Sequence, residues 1–289
     1  YSLPDWYPRF HVTCITHKKN PVYPATIVGI PPQEDAWLGK ATERIFLAPI
    51  KMTMVPEIID MEMPVEGVFH NLVIAKIKKE FAGQGQKVMY AMWGAGQMMF
   101  NKMGFGGKMC IDGTRKFEEE TDGQYQVQPS TQKLQQKYFP DNFPEIAGVN
   151  IDLTGLDIPC LIIAVKKNKS GHVKDLHQRI CTTVPGIEGI KMILYVEYSV
   201  DPGNLPVALW RFCNEPGKIF ACLGLDGTRK TKEWDGFDRD WPNIIVADDT
   251  TIKTVDEKWE ALGIGGFLSS PSLQYKSQMY GSEAVVEDL

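Results

Sequence analysis

Part of this chain is written twice, and nothing else in it restricts the fold so much. Pro56-Glu57-Ile58 recurs as Pro144-Glu145-Ile146, Ile77-Lys78-Lys79 as Val165-Lys166-Lys167 and Gly83 as Gly171, each 88 residues on. At the same offset the apolar runs Leu72-Val73-Ile74-Ala75 and Cys160-Leu161-Ile162-Ile163 superpose, and Val88 and Met92 fall on Leu176 and Ile180. A short apolar run, a glycine, then apolar residues at i and i+4 spell strand, turn and amphipathic helix. Two units of one architecture therefore share the chain, and alternating strands and helices place that architecture in the α/β class.

The second unit runs further than the first. After a helix stop at Pro185-Gly186 comes a strongly apolar strand, Met192 to Val196, then Asp201-Pro202-Gly203-Asn204 and a short helix from Leu205 to Phe212. Both units end on Asp-Gly-Thr-Arg-Lys, at Asp112–Lys116 and Asp226–Lys230. With Lys102 matched to Lys191, unit two takes 35 residues to reach Asp226 where unit one takes 10 to reach Asp112. The shortfall is a strand, an acidic loop and a helix. A sheet does not drop a central strand lightly, because unpaired backbone groups or an open edge result. The expectation is that Lys102 and Met103 are not true chain neighbours, and an intact mass matching the written sequence would refute it.

Ahead of the repeats, Phe10-His11-Val12-Thr13-Cys14-Ile15-Thr16 alternates as a strand does. Lys18-Lys19-Asn20-Pro21 turns the chain, Val22 to Val28 returns, and a hairpin is predicted. Beyond Pro31-Pro32, the residues Ala36, Leu38, Ala41, Ile45, Phe46 and Ile50 recur at helical spacing to about Lys51. Ser130 is placed to cap a short helix ending near Tyr138. In the tail, Thr254 and Glu257 form a capping-box pattern, with Val255, Trp259 and Leu262 as the apolar stripe and Gly263 as the stop. The polar run after Gly265-Gly266 reads as an arm, either mobile or docked on a neighbour.

The wording of the early segment carries a resemblance. Thr16-His17-Lys18-Lys19-Asn20-Pro21, Pro31-Pro32-Gln33-Glu34-Asp35 and Leu38-Gly39-Lys40-Ala41-Thr42-Glu43 resemble the UbiD-like carboxy-lyases. Pro56-Glu57-Ile58, Pro64-Val65-Glu66-Gly67, Lys78-Lys79 and Asp112-Gly113-Thr114-Arg115-Lys116 follow in the family's order. The resemblance implies an α/β chain beginning with a split-barrel hairpin (residues 1–34) and a connecting helix (35–55). Two related units follow (56–142 and 143–265), then the arm (266–289). The second unit departs from the common family pattern of one C-terminal unit.

The resemblance further implies decarboxylation of aromatic or α,β-unsaturated acids, here a quinone-precursor hydroxyaryl acid, on prenylated FMN with an associated metal ion. A flavin prenyltransferase supplies that cofactor, and the C-terminal domain mediates oligomerisation and closes one side of the substrate pocket. The family's catalytic acids fall upstream of Tyr1, which is similar to the end of a Gly-Tyr-Tyr motif, so no catalytic residue and no bound cofactor are expected in this chain alone. Leu38 is similar to an apolar pocket-lining position, and its spacing suits a core leucine as well. Two other readings stay open: a non-catalytic assembly module built from the repeats, and a plain flavin-binding split-barrel protein.

Composition adds exclusions. A net charge of −5 with acids and bases interspersed argues against a nucleic-acid partner. No run reaches the ~18 apolar residues of a membrane span. Six cysteines without CxxC spacing read as buried, reduced thiols in a cytoplasmic protein. His11, His17, His70, His172 and His177 offer no metal spacing, and Gly94-Ala95-Gly96 and Gly104-Phe105-Gly106-Gly107 complete no phosphate-loop pattern. Glu34 and Asp35 suit an acidic helix start, Met89, Met92, Met98, Met99 and Trp93 a core, and Asp-Gly-Thr-Arg-Lys a polar turn.

Overall fold

A computed structural model describes residues 6–21, 23, 29–31, 34–68, 71–95, 109–120, 133–214, 219–220, 223–236 and 242–281. Helix α1 (Glu34–Thr53) leads into unit one, where β1 (Ile58–Glu62) pairs antiparallel with β2 (Ile74–Ile77) and α2 (Gln84–Trp93) follows. Unit two holds α3 (Tyr138–Asn142), β3 (Ile146–Asn150), β4 (Cys160–Val165), α4 (His172–Thr183), β5 (Met192–Glu197) and α5 (Leu205–Asn214). It goes on through β6 (Ile219–Phe220), β7 (Gly224–Gly227) and α6 (Lys232–Asp235) to α7 (Asp249–Leu262). Its sheet runs in the order β3-β4-β5-β7-β6, with β4, β5 and β7 parallel and the two edge strands antiparallel.

The duplication is reproduced pair by pair. Ile58 faces Ile77 and Ile146 faces Val165, and in both units the register then slips by one residue at the same place. Lys78 N–H donates to the Glu57 carbonyl and Lys166 N–H to the Glu145 carbonyl, each at 2.9 Å. Gly83 and Gly171 start their helices at φ +77° and +68°, a left-handed conformation open to glycine at no steric cost. Val88 and Met92, like Leu176 and Ile180, are buried.

Unit two buries its sheet on both faces, which is why β4 reads as an unbroken apolar run. Leu161, Ile163 and Val165 pack under Val173, Leu176 and Ile180 of α4. Ile162, Ala164, Leu194 and Val196 point the other way, into Val207, Ala208 and Trp210 of α5. Unit one has a smaller core of Ile50, Val55, Ile58, Met61, Val88 and Met92. Among the described residues β2 has no partner corresponding to β5; Lys102 and Met103, where the sequence predicts a missing segment, lie outside them.

Several expectations are corrected. Residues 10–16 form no strand, and Phe10, Val12 and Ile15 stand in solvent, while the return run 22–28 lies outside the described residues except Tyr23. Alternation specifies a strand only where one face is covered, and a lone hairpin is marginal in water. The final helix starts at Asp248, whose carboxylate accepts from Thr251 N–H at 2.9 Å, and Thr254 lies inside it, bonded back to the Thr250 carbonyl. Its stripe of Val255, Trp259 and Leu262 buries no residue, although Gly263 ends it as read. Ser130 lies outside the described residues, and α3 begins at Tyr138 instead of ending there. The arm docks on its own chain: Tyr275 enters the core beneath α5, and its hydroxyl donates to the Pro31 carbonyl at 3.0 Å. Cys160 and Cys213 are buried, but Cys14 and Cys110 are exposed.

Candidate functional site

Helix α1 presents two opposed faces, separated by the helical period. Ala36, Gly39, Glu43 and Ile50 turn inward and are buried. The Glu43 carboxylate, wholly enclosed, accepts from the Met63 N–H at 2.5 Å and from Lys40 Nζ at 3.1 Å, and it pairs with Arg44. Lys40 reaches on to Glu62 at 2.5 Å and Arg44 to Asp60 at 2.8 Å, which holds Asp60 below the usual carboxylate range. A buried carboxylate persists when cations and N–H donors replace its water, and here they also clamp the helix to β1.

The outward face consists of Leu38, Ala41, Ile45, Ala48 and Met52, all exposed, with Trp37 beside them. Trp37 is 76% and Ile45 66% exposed. An apolar stripe at i, i+3 and i+4 spacing, repeated over four turns, is the pattern of a helix that buries this face against another surface. In the Leu-Gly-Lys-Ala-Thr-Glu segment, then, Gly39, Lys40 and Glu43 seat the helix while Leu38 and Ala41 are left to meet something else. Leu38 is not a core leucine: it is 59% exposed.

The second built feature is the repeated polar turn. Asp112 Oδ1 accepts from the Thr114 N–H and hydroxyl at 2.9 and 2.6 Å, and Asp226 Oδ1 from those of Thr228 at 3.0 and 2.6 Å. Lys116 pairs with Asp112 at 2.7 Å and Lys230 with Asp226 at 3.1 Å. A buried lysine from the end of each preceding strand locks the turn in place. Lys79 meets Glu120 at 2.6 Å, and Lys167 meets Asp235 at 2.6 Å and donates to the Arg229 carbonyl. The Asp, Thr and Lys of each copy are thus taken up in holding the turn itself. Sequence reasoning missed Lys79 and Lys167 as its anchors, although their recurrence at the 88-residue offset was the signal.

A groove of about 930 Å³ opens beside α4, but its charges are largely spent on one another: Lys169 pairs with Asp175 at 2.9 Å, and Arg179 and His172 both meet Glu145. His177 is committed to the core, its Nδ1 2.9 Å from the Tyr195 hydroxyl. Among the described residues no three His, Cys, Asp or Glu side chains group to hold a metal, and no helix is long and apolar enough to cross a membrane. These residues thus offer no donor set for a metal ion, and no chemistry is routed through one within them.

Fold and surface together define a duplicated α/β module that carries an unsatisfied apolar helix on its outside. The sequence profile of the 3-octaprenyl-4-hydroxybenzoate carboxy-lyase C-terminal domain matches residues 36–112 and 127–215, more than half of the chain. The chain belongs to this family of UbiD-type carboxy-lyases. A protein of Archaeoglobus fulgidus is 61% identical over 103 residues, 36% of this chain and 21% of that one. One of Aquifex aeolicus is 38% identical over 42% of this chain and 34% of its own length, and one of Aeropyrum pernix 26% identical over 89% and 39%. The chain thus spans between about a fifth and two-fifths of the curated relatives it matches. Among solved structures, the closed form of Sedimentibacter hydroxybenzoicus vanillic acid decarboxylase aligns with TM-score 0.34 and 19% identity over 45% of this chain and 31% of that one.

Proposed function

We propose that this chain is the C-terminal portion of a prenyl-FMN-dependent carboxy-lyase that decarboxylates an aromatic acid, a quinone-precursor hydroxyaryl acid in particular. The observation that carries the proposal is the division of labour on α1. The polar members of its family-like segment are used up in seating the helix on unit one, and its apolar members face outward in a continuous stripe. In this reading the stripe lies against the catalytic region of the full-length protein, and Leu38 borders the substrate pocket, where an apolar wall excludes water from the reacting acid. Cofactor, metal and proton-transfer groups belong to the remainder of that protein, and the repeated units provide association surfaces between copies.

The test is full-length protein co-expressed with a flavin prenyltransferase. It should carry a modified flavin and release CO₂ from a hydroxyaryl acid, whereas the 289-residue chain alone should be colourless. Leu38→Asp in the full-length protein should raise KM or abolish turnover. A full-length protein with bound cofactor and unchanged kinetics on Leu38→Asp would overturn the pocket assignment, and a yellow, active 289-residue chain would overturn the division of labour.

A further inference from the structure

Unit two contains a buried arginine with no acid to answer it. Arg229 follows β7 and is only 7% exposed, yet among the described residues no carboxylate lies within ion-pair reach of its guanidinium. Its Nε makes no hydrogen bond, and its guanidinium carbon lies 4.5 Å from the centre of the Tyr280 ring, stacked on the docked arm. The neighbouring cations differ: Lys167 is paired with Asp235, Lys230 with Asp226, and Arg211 donates to Gln278 at 3.3 Å. Arginine is almost never buried unless paired, because its desolvation is otherwise uncompensated.

Arg229 lines a cavity of about 130 Å³ together with the aromatic rings of Tyr198, Trp234 and Tyr280. Lys166 and Lys167 bring further positive charge to its wall and Glu197 and Glu233 its carboxylates, with Lys166 Nζ 6.0 Å from the Tyr198 ring centre. This cavity sits beyond the carboxyl ends of β4, β5 and β7, three neighbouring parallel strands, where open α/β sheets bind their ligands. It has room for about four waters, or for an anion of similar bulk. Glu197, on the same wall, is pushed up by burial, and its carboxylate accepts from the Arg229 main-chain N–H.

We propose that this crevice is a binding site for a small oxyanion, a carboxylate or a phosphate, gripped by the Arg229 guanidinium in its fixed fork and closed over by the aromatic side chains. The site belongs to unit two alone. Arg115, the matching residue of unit one, is exposed, and no strand corresponding to β5 stands beside β2 among the described residues to form a second wall. The proposal is independent of the decarboxylase reading, since it rests on unit two and not on α1.

Calorimetric titration of the full chain with inorganic phosphate and, separately, with acetate tests it. Saturable binding of at least one anion is expected; phosphate alone would point to a phosphate-bearing ligand, acetate alone to a carboxylate. Arg229→Gln should weaken that binding at least about tenfold, Arg229→Lys less, and Arg115→Gln not at all. Circular dichroism checks that the variants fold; should Arg229→Gln fail to, Arg229→Lys and the wild-type titration decide. No saturable heat from either anion up to about 10 mM, or equal binding by wild type and a folded Arg229 variant, would overturn the proposal.

Discussion

Replacing Asp235 by Asn removes a negative charge while keeping its shape, and leaves the Lys167 ammonium enclosed without its counter-ion. The two side chains are 4% and 8% exposed and 2.6 Å apart, and burial together with Lys230 already pushes Lys167 below its ordinary value. Breaking a buried pair from one side costs about 3–5 kcal/mol. An independent ceiling agrees: a lysine whose ordinary value is 10.5 can be neutralised at pH 7 for about 5 kcal/mol at 1.36 kcal/mol per unit. Asp175→Asn is the control, because Lys169 and Asp175 are both more than half exposed and such a pair contributes at most about 1 kcal/mol. Urea unfolding followed by circular dichroism should separate the two. The loss in Asp235→Asn should shrink as pH rises toward 10.5, since over that window the unfolded lysine binds a proton that the folded one has given up. Lys167→Met with Asp235→Leu should recover most of the stability, as apolar replacements of buried pairs often do. A single variant losing under about 1 kcal/mol, or a double variant as unstable as the single, would show that the pair does not anchor the turn.

Three further outcomes can be checked together. Gly227→Ala would bring a Cβ within 3.0 Å of the Tyr195 carbonyl oxygen and 3.2 Å of the Phe212 Cα, both main-chain atoms, so a loss of about 1–3 kcal/mol is expected by thermal unfolding. Lys79 and the N–H groups of Phe117 and Gly83 hold the Glu120 carboxyl down at about 2. The stability this brings is complete above the ordinary value of 4.5 and lost as pH falls toward 2, so Glu120→Gln should flatten the acid limb of a stability–pH curve. Ile45→Asp, on the exposed face of α1, should leave the stability of the 289-residue chain within about 0.5 kcal/mol of wild type while weakening its association with the catalytic region in a pull-down.

The parts of the fold that could be read from the sequence are those whose causes are local. Val88 and Met92, or Leu176 and Ile180, lie one helical turn apart whatever surrounds them, and the β4 run Cys160-Leu161-Ile162-Ile163-Ala164-Val165 announces burial on both faces. Sequence and structure part where a pattern needs a covering surface that the pattern itself does not specify. Phe10-His11-Val12 alternates like a strand but meets no covering surface among the described residues, and the outward residues of α1 have helical spacing without a core to enter. Arg229 was invisible as a special residue because its sequence setting, Asp-Gly-Thr-Arg-Lys, is identical to that of Arg115. Only the tertiary arrangement makes one buried and the other exposed.

That contrast says what the duplication permits. In both units a strand-end lysine and an Asp–Thr turn rebuild the same scaffold, and the scaffold by itself has no site: in unit one the turn ends at the surface, with Arg115 in water. Unit two adds β5, whose last residue Glu197 forms one wall, and an arm that returns to lay Tyr280 across the opening. Burial of Arg229 is therefore a consequence of those two additions and not of the repeat. Truncating the chain before the 3-10 segment Pro271–Gln278 should expose the guanidinium and abolish the oxyanion response while leaving the Lys167–Asp235 anchor, and its cost on mutation, in place. If anion binding survived that truncation undiminished, the arm would have no part in the site and the grip would have to lie elsewhere in unit two.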